Sequence, residues 1–60
     1  MTKVERNKAI KELARDGWAQ IESKLVWGNY DRNSYDVTAV DPKTGYQKRF
    51  SRLAQVRGEE

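Results

Sequence analysis

The feature that most constrains this chain is a predicted tight turn, DPKTG, at residues 41–45. Asp favours the first position of such a turn, Pro the second position, where its φ is already close to the required value, and Gly a position that needs a left-handed backbone. Strand-like segments lie on either side: YDVTAV, which alternates between two faces, and YQKRF. Residues 35–50 therefore predict a β-hairpin, and the register of its second arm decides whether Tyr46, Lys48 and Phe50 share a face.

The N-terminal segment predicts a helix over about Lys3–Asp16. Thr2 and Glu5 have the spacing of a capping box, in which each side chain bonds the backbone amide of the other residue. Gly17 supplies the left-handed residue that commonly ends a helix. Apolar positions recur with the helical period at Ala9, Ile10, Leu13 and Ala14.

Between this helix and the hairpin, the sequence predicts one more strand and a loop. WAQIESKLVW, residues 18–27, alternates imperfectly, with Ala19, Ile21 and Leu25 on one face. GNYDRNS, residues 28–34, is rich in turn formers and predicts the loop that leads to the next strand.

The C-terminal segment predicts a short helix that Ser51 can cap and that stops at Gly58, with Leu53 and Val56 as its apolar contacts. The order of elements indicates a single α+β domain over residues 1–60. In this α-β-β-β-α arrangement, the N-terminal helix packs on a three-stranded antiparallel β-meander, and the short helix follows.

The predicted core uses most of the large apolar side chains, because sixty residues are near the lower limit at which one core outweighs chain entropy. The predicted core residues are Ile10, Leu13, Ile21, Leu25, Tyr35, Val37, Phe50 and Leu53. Trp18 and Trp27 are assigned to the core in preference to an interface, and Trp27 or Val40 would cover a sheet edge.

Residue types exclude several kinds of active site. The chain has no cysteine and no histidine, which excludes disulfides, thiolate zinc sites, Cys or His nucleophiles and imidazole acid–base chemistry. Asp31, Asp36 and Asp41 are five residues apart, unlike the alternate ligand positions of an EF-hand. A metal-dependent nuclease core would need an acid on the third strand, and YQKRF has none. The expectation is a protein that is not an enzyme and holds no metal or cofactor.

The positive charge of the chain is concentrated near its C-terminus. Residues 1–42 hold seven bases and seven acids, whereas residues 43–58 hold five bases and no acid. Such a stretch predicts contacts with the phosphates of DNA or RNA, and an exposed aromatic ring could stack on an unpaired base. The predicted nucleic-acid-binding residues are Lys43, Lys48, Arg49, Arg52, Arg57 and Tyr46.

The same residues have a simpler interpretation as the solvated face of a small sheet, with Tyr46 and Phe50 in the core. Adjacent residues of a strand also point to opposite faces, so Lys48 and Arg49 cannot both reach one groove unless the strand is bulged. The sequence leaves the choice between nucleic-acid binding and simple solvation open.

The second hypothesis is a small protein-binding module, an inhibitor or adaptor, that acts through an edge strand or through the loop at residues 27–34. Its exposed residues would be Trp27, Tyr30 and Arg32, since Tyr and Arg are enriched at interface hot spots. Small proteins of phages and mobile elements commonly act in this way, and the length of the chain suits such an origin. An open sheet edge would also allow a homodimer.

The N-terminal residues carry a charge every two or three positions and lack the apolar run of a signal peptide or membrane span. A cytoplasmic protein with no membrane partner is therefore expected. The charged fraction of 35% is high, yet two Trp, three Tyr and one Phe argue against disorder.

The segment KELARDGW, residues 11–18, places a Gly-Trp pair after the first helix. Together with the order of elements, it resembles double-stranded-RNA-binding folds and the HicA-type toxin ribonucleases. The toxins' ribonuclease activity does not carry over, because their catalytic histidine has no counterpart in this chain. KRFSR, residues 48–52, is similar to the basic helix start of the RNA binders. The hairpin at residues 35–50 resembles the DNA-reading sheets of integrase arm-binding domains, which implies strands in the major groove.

Overall fold

A computed structural model of the chain describes residues 1–28 and 32–58. In this part of the chain, the elements follow the predicted order of helix, three strands and helix. Their bounds are Lys3–Arg15 (α1), Ala19–Gly28 (β1), Asn33–Val40 (β2), Gln47–Phe50 (β3) and Leu53–Arg57 (α2). The strands form an antiparallel sheet in the order β1-β2-β3, and α1 packs on one of its faces. The predicted α+β class is confirmed.

Helix α1 begins and ends where the sequence predicts. The Glu5 N–H donates to Thr2 Oγ1 at 3.2 Å, and the Thr2 N–H donates to the Glu5 carboxylate at 3.0 Å, so the capping box is complete. The bond from the Thr2 N–H favours the charged carboxylate and therefore lowers the pKa of Glu5 below its ordinary value of 4.5. At the other end, Gly17 adopts a left-handed φ of +88° directly after the C-cap, Asp16.

The core lies between α1 and the covered face of the sheet. Within the described residues, the fully buried side chains are Ala9, Leu13, Val37, Ala39 and Phe50. The predicted core residues Ile10, Ile21 and Leu53 are half-buried and pack around them, and Tyr35 is also half-buried. Trp18 packs edge-on against Phe50, with the ring centroids 5.3 Å apart. The core is therefore small, and two of its five buried members are alanines.

Two residues predicted in the core are exposed instead. Leu25 and Trp27 have exposed fractions of 54% and 55%. The pairing of β1 with β2 shifts between Ala19 and Glu22 and again between Leu25 and Trp27, so β1 side chains do not alternate in a single phase. Because of the first shift, Ala19 aligns with Val40 on the open face and Leu25 with Tyr35 on the covered face, so the predicted common face of Ala19, Ile21 and Leu25 is wrong for Ala19.

The two neighbouring strands extend into the predicted loop at residues 28–34. Strand β1 continues to Gly28, and β2 already begins at Asn33. Residues 33 and 34 pair with the end of β1, so their backbone hydrogen bonds extend the sheet. Tyr30, one of the predicted partner-binding residues, lies outside the described residues.

The start of helix α2 also differs from the prediction. Its N-cap is Arg52 and not Ser51. The side-chain carbonyl of Gln55 accepts the N–H groups of Ser51, at 2.8 Å, and Arg52, at 3.2 Å, and so satisfies donors at this helix end. Gly58, with a φ of +70°, ends the helix as predicted.

The first residue extends the sheet beyond the end of β3. The Tyr35 N–H donates to the Met1 carbonyl at 2.8 Å, and the Met1 ammonium donates to the carbonyls of Tyr35, at 2.8 Å, and Ser51, at 3.1 Å. Met1 therefore lies beside β2 where β3 has already ended, and it ties the start of α1 to the sheet.

Candidate functional site

The tip of the β2–β3 hairpin is a hydrogen-bonded turn, as the DPKTG segment predicts. The Asp41 carboxylate accepts the Lys43 N–H at 2.8 Å, and the Asp41 carbonyl accepts the Gly45 N–H at 2.8 Å. Gly45 has a φ of +76°, the left-handed conformation that glycine adopts without strain. The Asp41 N–H closes the hairpin by donating to the Tyr46 carbonyl at 2.9 Å.

Tyr46 is the most exposed of the large apolar side chains in the described residues, with 77% of its surface accessible. Its backbone is held by the bond from Asp41 and by its own N–H, which donates to Thr44 Oγ1 at 3.3 Å. The alternative interpretation that places Tyr46 in the core is therefore wrong, whereas the prediction of Phe50 as a core residue is confirmed, since Phe50 is 1% exposed.

Lys48 and Arg49 point to opposite faces of β3, as predicted. Lys48 aligns with Ala39, on the face that α1 covers, and Arg49 aligns with Thr38, on the open face. The Lys48 ammonium lies 5.3 Å from the centre of the Phe50 ring, within the range of a cation–π contact. The two cations therefore flank the edge of the sheet rather than forming one flat patch.

Arg49 lies near a carboxylate on the open face. Its Nε is 3.6 Å from Oδ2 of Asp36, whose side chain is 14% exposed, whereas the Arg49 side chain is 74% exposed. Pairs with one exposed partner contribute on the order of 0–1 kcal/mol to stability. A phosphate could therefore compete for the guanidinium, which carries five N–H donors.

Arg57, one of the predicted phosphate ligands, forms a contact within the fold. Its guanidinium donates to both carboxylate oxygens of Glu12, at 3.0 and 3.2 Å, and so joins α2 to α1. This hydrogen bonding lowers the pKa of Glu12 below its ordinary value of 4.5. Arg52, the remaining predicted contact on this segment, is exposed at the start of α2.

Helix α1 carries a basic ridge that a count of charges along the sequence does not reveal. Lys8, Lys11 and Arg15 are exposed and lie three and four residues apart, which places them along one side of the helix. Of the acids nearby, Glu5 bonds within the N-terminal cap and Glu12 pairs with α2, whereas the Asp16 carboxylate lies 4.0 Å from Arg15 at the end of the ridge. The balanced charge of residues 1–42 hides this ridge, although the helical period already separates these cations from the apolar residues of α1.

A second surface lies at the far end of the sheet from the hairpin tip. An open groove of about 740 Å³ is lined by Met1, Thr2, Lys3, Val4, Glu5, Trp27, Arg32, Asn33 and Ser34. Two of the three predicted partner-binding residues, Trp27 and Arg32, therefore lie together. Val4, which the sequence did not single out, is 63% exposed in the same groove.

Within residues 1–28 and 32–58, no group of three or more acidic side chains is placed to hold a metal ion. No helix in the same residues is long and apolar enough to cross a membrane. Comparison of the chain with protein-family models, curated proteins and solved structures finds no significant match. The resemblances noted in the sequence therefore rest on short segments and element order alone.

Proposed function

We propose that this protein binds nucleic acid through the hairpin tip and β3, and that it contacts phosphates rather than reading base sequence. The observation that carries the proposal is Tyr46, 77% exposed on a hydrogen-bonded turn, with Lys43 before it and Lys48 after it in the chain. A chain with so small a core would gain stability by burying this large aromatic ring. Its exposure to solvent therefore favours a role in binding a ligand.

The mechanism is electrostatic with one stacking contact. Lys43, Lys48, Arg49 and Arg52 bind phosphates from the two sides of the sheet edge, and Arg57 joins them only by giving up part of its pair with Glu12. The Tyr46 ring stacks on an unpaired base, a contact worth about 1–3 kcal/mol. Bases within a duplex are already stacked, so single-stranded nucleic acid is the preferred ligand.

Reading of base sequence has little support on this surface. Gln47 and Arg49, which share the open face of β3, are the side chains there that are suited to hydrogen bonding with base edges. In the proposed mechanism Arg49 binds a phosphate, which leaves Gln47 as the side chain that can reach base edges. We therefore expect affinities that vary little with nucleotide sequence.

Fluorescence anisotropy of labelled single-stranded DNA, duplex DNA and duplex RNA at two salt concentrations tests the proposal. We expect the tightest binding to the single strand, with an affinity that falls steeply as salt rises. Tyr46→Ala should weaken single-strand binding by about 5- to 150-fold, whereas Tyr46→Phe should retain it. Lys43→Ala should reduce the logarithmic salt slope by about one, and Lys3→Ala, at the other end of the sheet, should not.

Absence of binding at low salt would overturn the proposal, and so would an affinity that Tyr46→Ala and Lys43→Ala both leave unchanged. In the second case, the basic ridge of Lys8, Lys11 and Arg15 on α1 would be the next surface to test, with alanine substitutions of the same design.

A second candidate function, binding of a protein partner, is favoured by the groove that contains Trp27 and Arg32. Trp27 is 55% exposed and Val4 is 63% exposed there, and Trp and Arg are typical of interface hot spots. A contact of this kind would bury apolar surface, so its affinity should respond weakly to salt, in contrast to nucleic-acid binding. Trp27→Ala should abolish binding of the protein partner and leave nucleic-acid binding unchanged.

A further inference from the structure

Strand β1 leaves one edge of the sheet open. It is hydrogen-bonded to β2 on one side, and within the described residues its other side has no partner strand. Leu25, Val26 and Trp27 follow one another along this edge with exposed fractions of 54–56%. An open edge with exposed apolar side chains is a template for pairing with another strand.

The sequence of β1 is complementary to itself. Ile21, Glu22, Ser23, Lys24 and Leu25 read as apolar, acidic, serine, basic and apolar about a central serine. In an antiparallel pairing of two copies centred on Ser23, Glu22 lies opposite the partner's Lys24, and Ile21 lies opposite the partner's Leu25. Each of these pairs occurs twice, because a two-fold axis relates the strands.

The faces of the sheet agree with this pairing. Glu22 aligns with Thr38 and Lys24 with Asp36, so both charged residues lie on the open face. Ser23 and Leu25 align with residues on the covered face. The strand is regular from Glu22 to Leu25, between its two irregularities. Charged pairs would therefore form on one face and apolar contacts on the other.

Neighbouring registers that keep the two covered faces on the same side are disfavoured by charge. Centring the pair on Glu22 would place two glutamates opposite each other, and centring it on Lys24 would place two lysines opposite each other. Like charges directly opposite across strands are destabilising, whereas opposite charges contribute about 0.2–1 kcal/mol each. The register centred on Ser23 is therefore the favoured one.

We propose that the chain forms a symmetric homodimer in which β1 pairs antiparallel with β1 of a second copy, centred on Ser23. The two three-stranded sheets then form one continuous six-stranded sheet. The hairpin tips and both β3 strands lie at the outer ends of this sheet. The inference does not rest on nucleic-acid binding, because β1 and β3 are opposite edges.

Sedimentation velocity without nucleic acid, from micromolar to millimolar protein, tests the dimer. We expect the average mass to rise from 7.0 kDa toward twice that value as the concentration increases. Glu22→Lys and Lys24→Glu should each raise the dissociation constant by about tenfold or more, because each places like charges opposite each other twice. An equimolar mixture of these two variants should regain dimerisation, since the heterodimer restores opposite charges in both pairs.

The mixture separates a charge effect from a loss of folding, because a misfolded variant could not be rescued by its counterpart. Lys24→Glu needs this control most, since Lys24 aligns with Asp36 within the chain. A monomer at all concentrations would overturn the proposal and leave the edge to a strand of another protein. A dimer that neither variant weakens, or a mixture that does not recover, would overturn the register centred on Ser23.

Discussion

Strands β3 and β1 both border the sheet, yet they contribute to the molecule in opposite ways. β3 has four residues and buries Phe50 to an exposed fraction of 1%. β1 has ten residues, all of them described, and none is fully buried. Hydrophobic stabilisation follows the apolar area removed from water and not the number of residues in a strand. The short edge strand therefore stabilises the fold, and the long one is available for contacts with other molecules.

Truncation of one apolar side chain on each strand should separate these roles most clearly. Phe50→Ala should cost about 3–5 kcal/mol in the free energy of unfolding, because it empties a fully buried site. Leu25→Ala should cost about 1 kcal/mol or less, since that side chain is 54% exposed. Urea unfolding at micromolar protein, followed by circular dichroism, measures both values.

The free energy that Phe50→Ala is expected to cost approaches the whole stability of a small domain, so this variant should be largely unfolded. Phe50→Leu keeps part of the volume and gives a measurable transition. Equal losses of stability for Phe50→Leu and Leu25→Ala would contradict the contrast between the two edges.

The turn that leads into β3 should give the next largest effect. Gly45→Ala forces a side chain onto a backbone with a φ of +76°, which costs about 1–2 kcal/mol. A Cβ at Gly45 would meet no atom within 4 Å, so the cost comes from the backbone and not from crowding. In thermal unfolding, each kcal/mol corresponds to about 4–8 °C for a domain of this size. Gly45→Asn should lose less, because Asn tolerates the left-handed conformation.

The smallest effect concerns the pair of Glu12 and Arg57, which joins α1 to α2. NMR titration should give a pKa for Glu12 below 4.5, and Arg57→Gln should raise it toward that value by removing the hydrogen bonds. Stability from the pair is complete above the ordinary pKa and is lost as the pH falls through the lower pKa of the folded state. The pKa of Glu5 is lowered by Thr2 and should not respond to Arg57→Gln, which makes it the matched control.

The order of elements, the capping box and the hairpin turn could be read from the sequence because each depends on residues close together in the chain. Thr2 and Glu5 cap α1, and DPKTG forms the turn at residues 41–45, as predicted. The exposure of Leu25 and Trp27 could not be read in this way. Trp27 follows the second irregularity of β1 against β2, which no local pattern announces, whereas Leu25 aligns with the covered face and is nonetheless exposed on the open edge strand.

The electrostatics of the candidate site were predictable in part. The sequence placed Lys48 and Arg49 on opposite faces, and the structure confirms this. It did not reveal that Arg49 lies beside Asp36, a neighbour across the strands, or that Arg57 bonds Glu12, which is 45 residues away in the chain. Such partners depend on strand register and on helix packing, which are settled only when the whole chain has folded.

The edge-on contact between Trp18 and Phe50 gives the protein an optical signal of its own. The two rings are held at an interplanar angle of 74°, one at the entry to β1 and the other in β3. Aromatic rings in a fixed asymmetric environment produce near-ultraviolet circular dichroism, which disappears when tertiary packing is lost. A spectroscopist can therefore follow the docking of the shortest strand without any label. Assembly through β1 or a ligand stacked on Tyr46 would change the contributions of Trp27 and Tyr46 but should keep the Trp18–Phe50 contact, so loss of the whole near-ultraviolet signal indicates unfolding rather than binding.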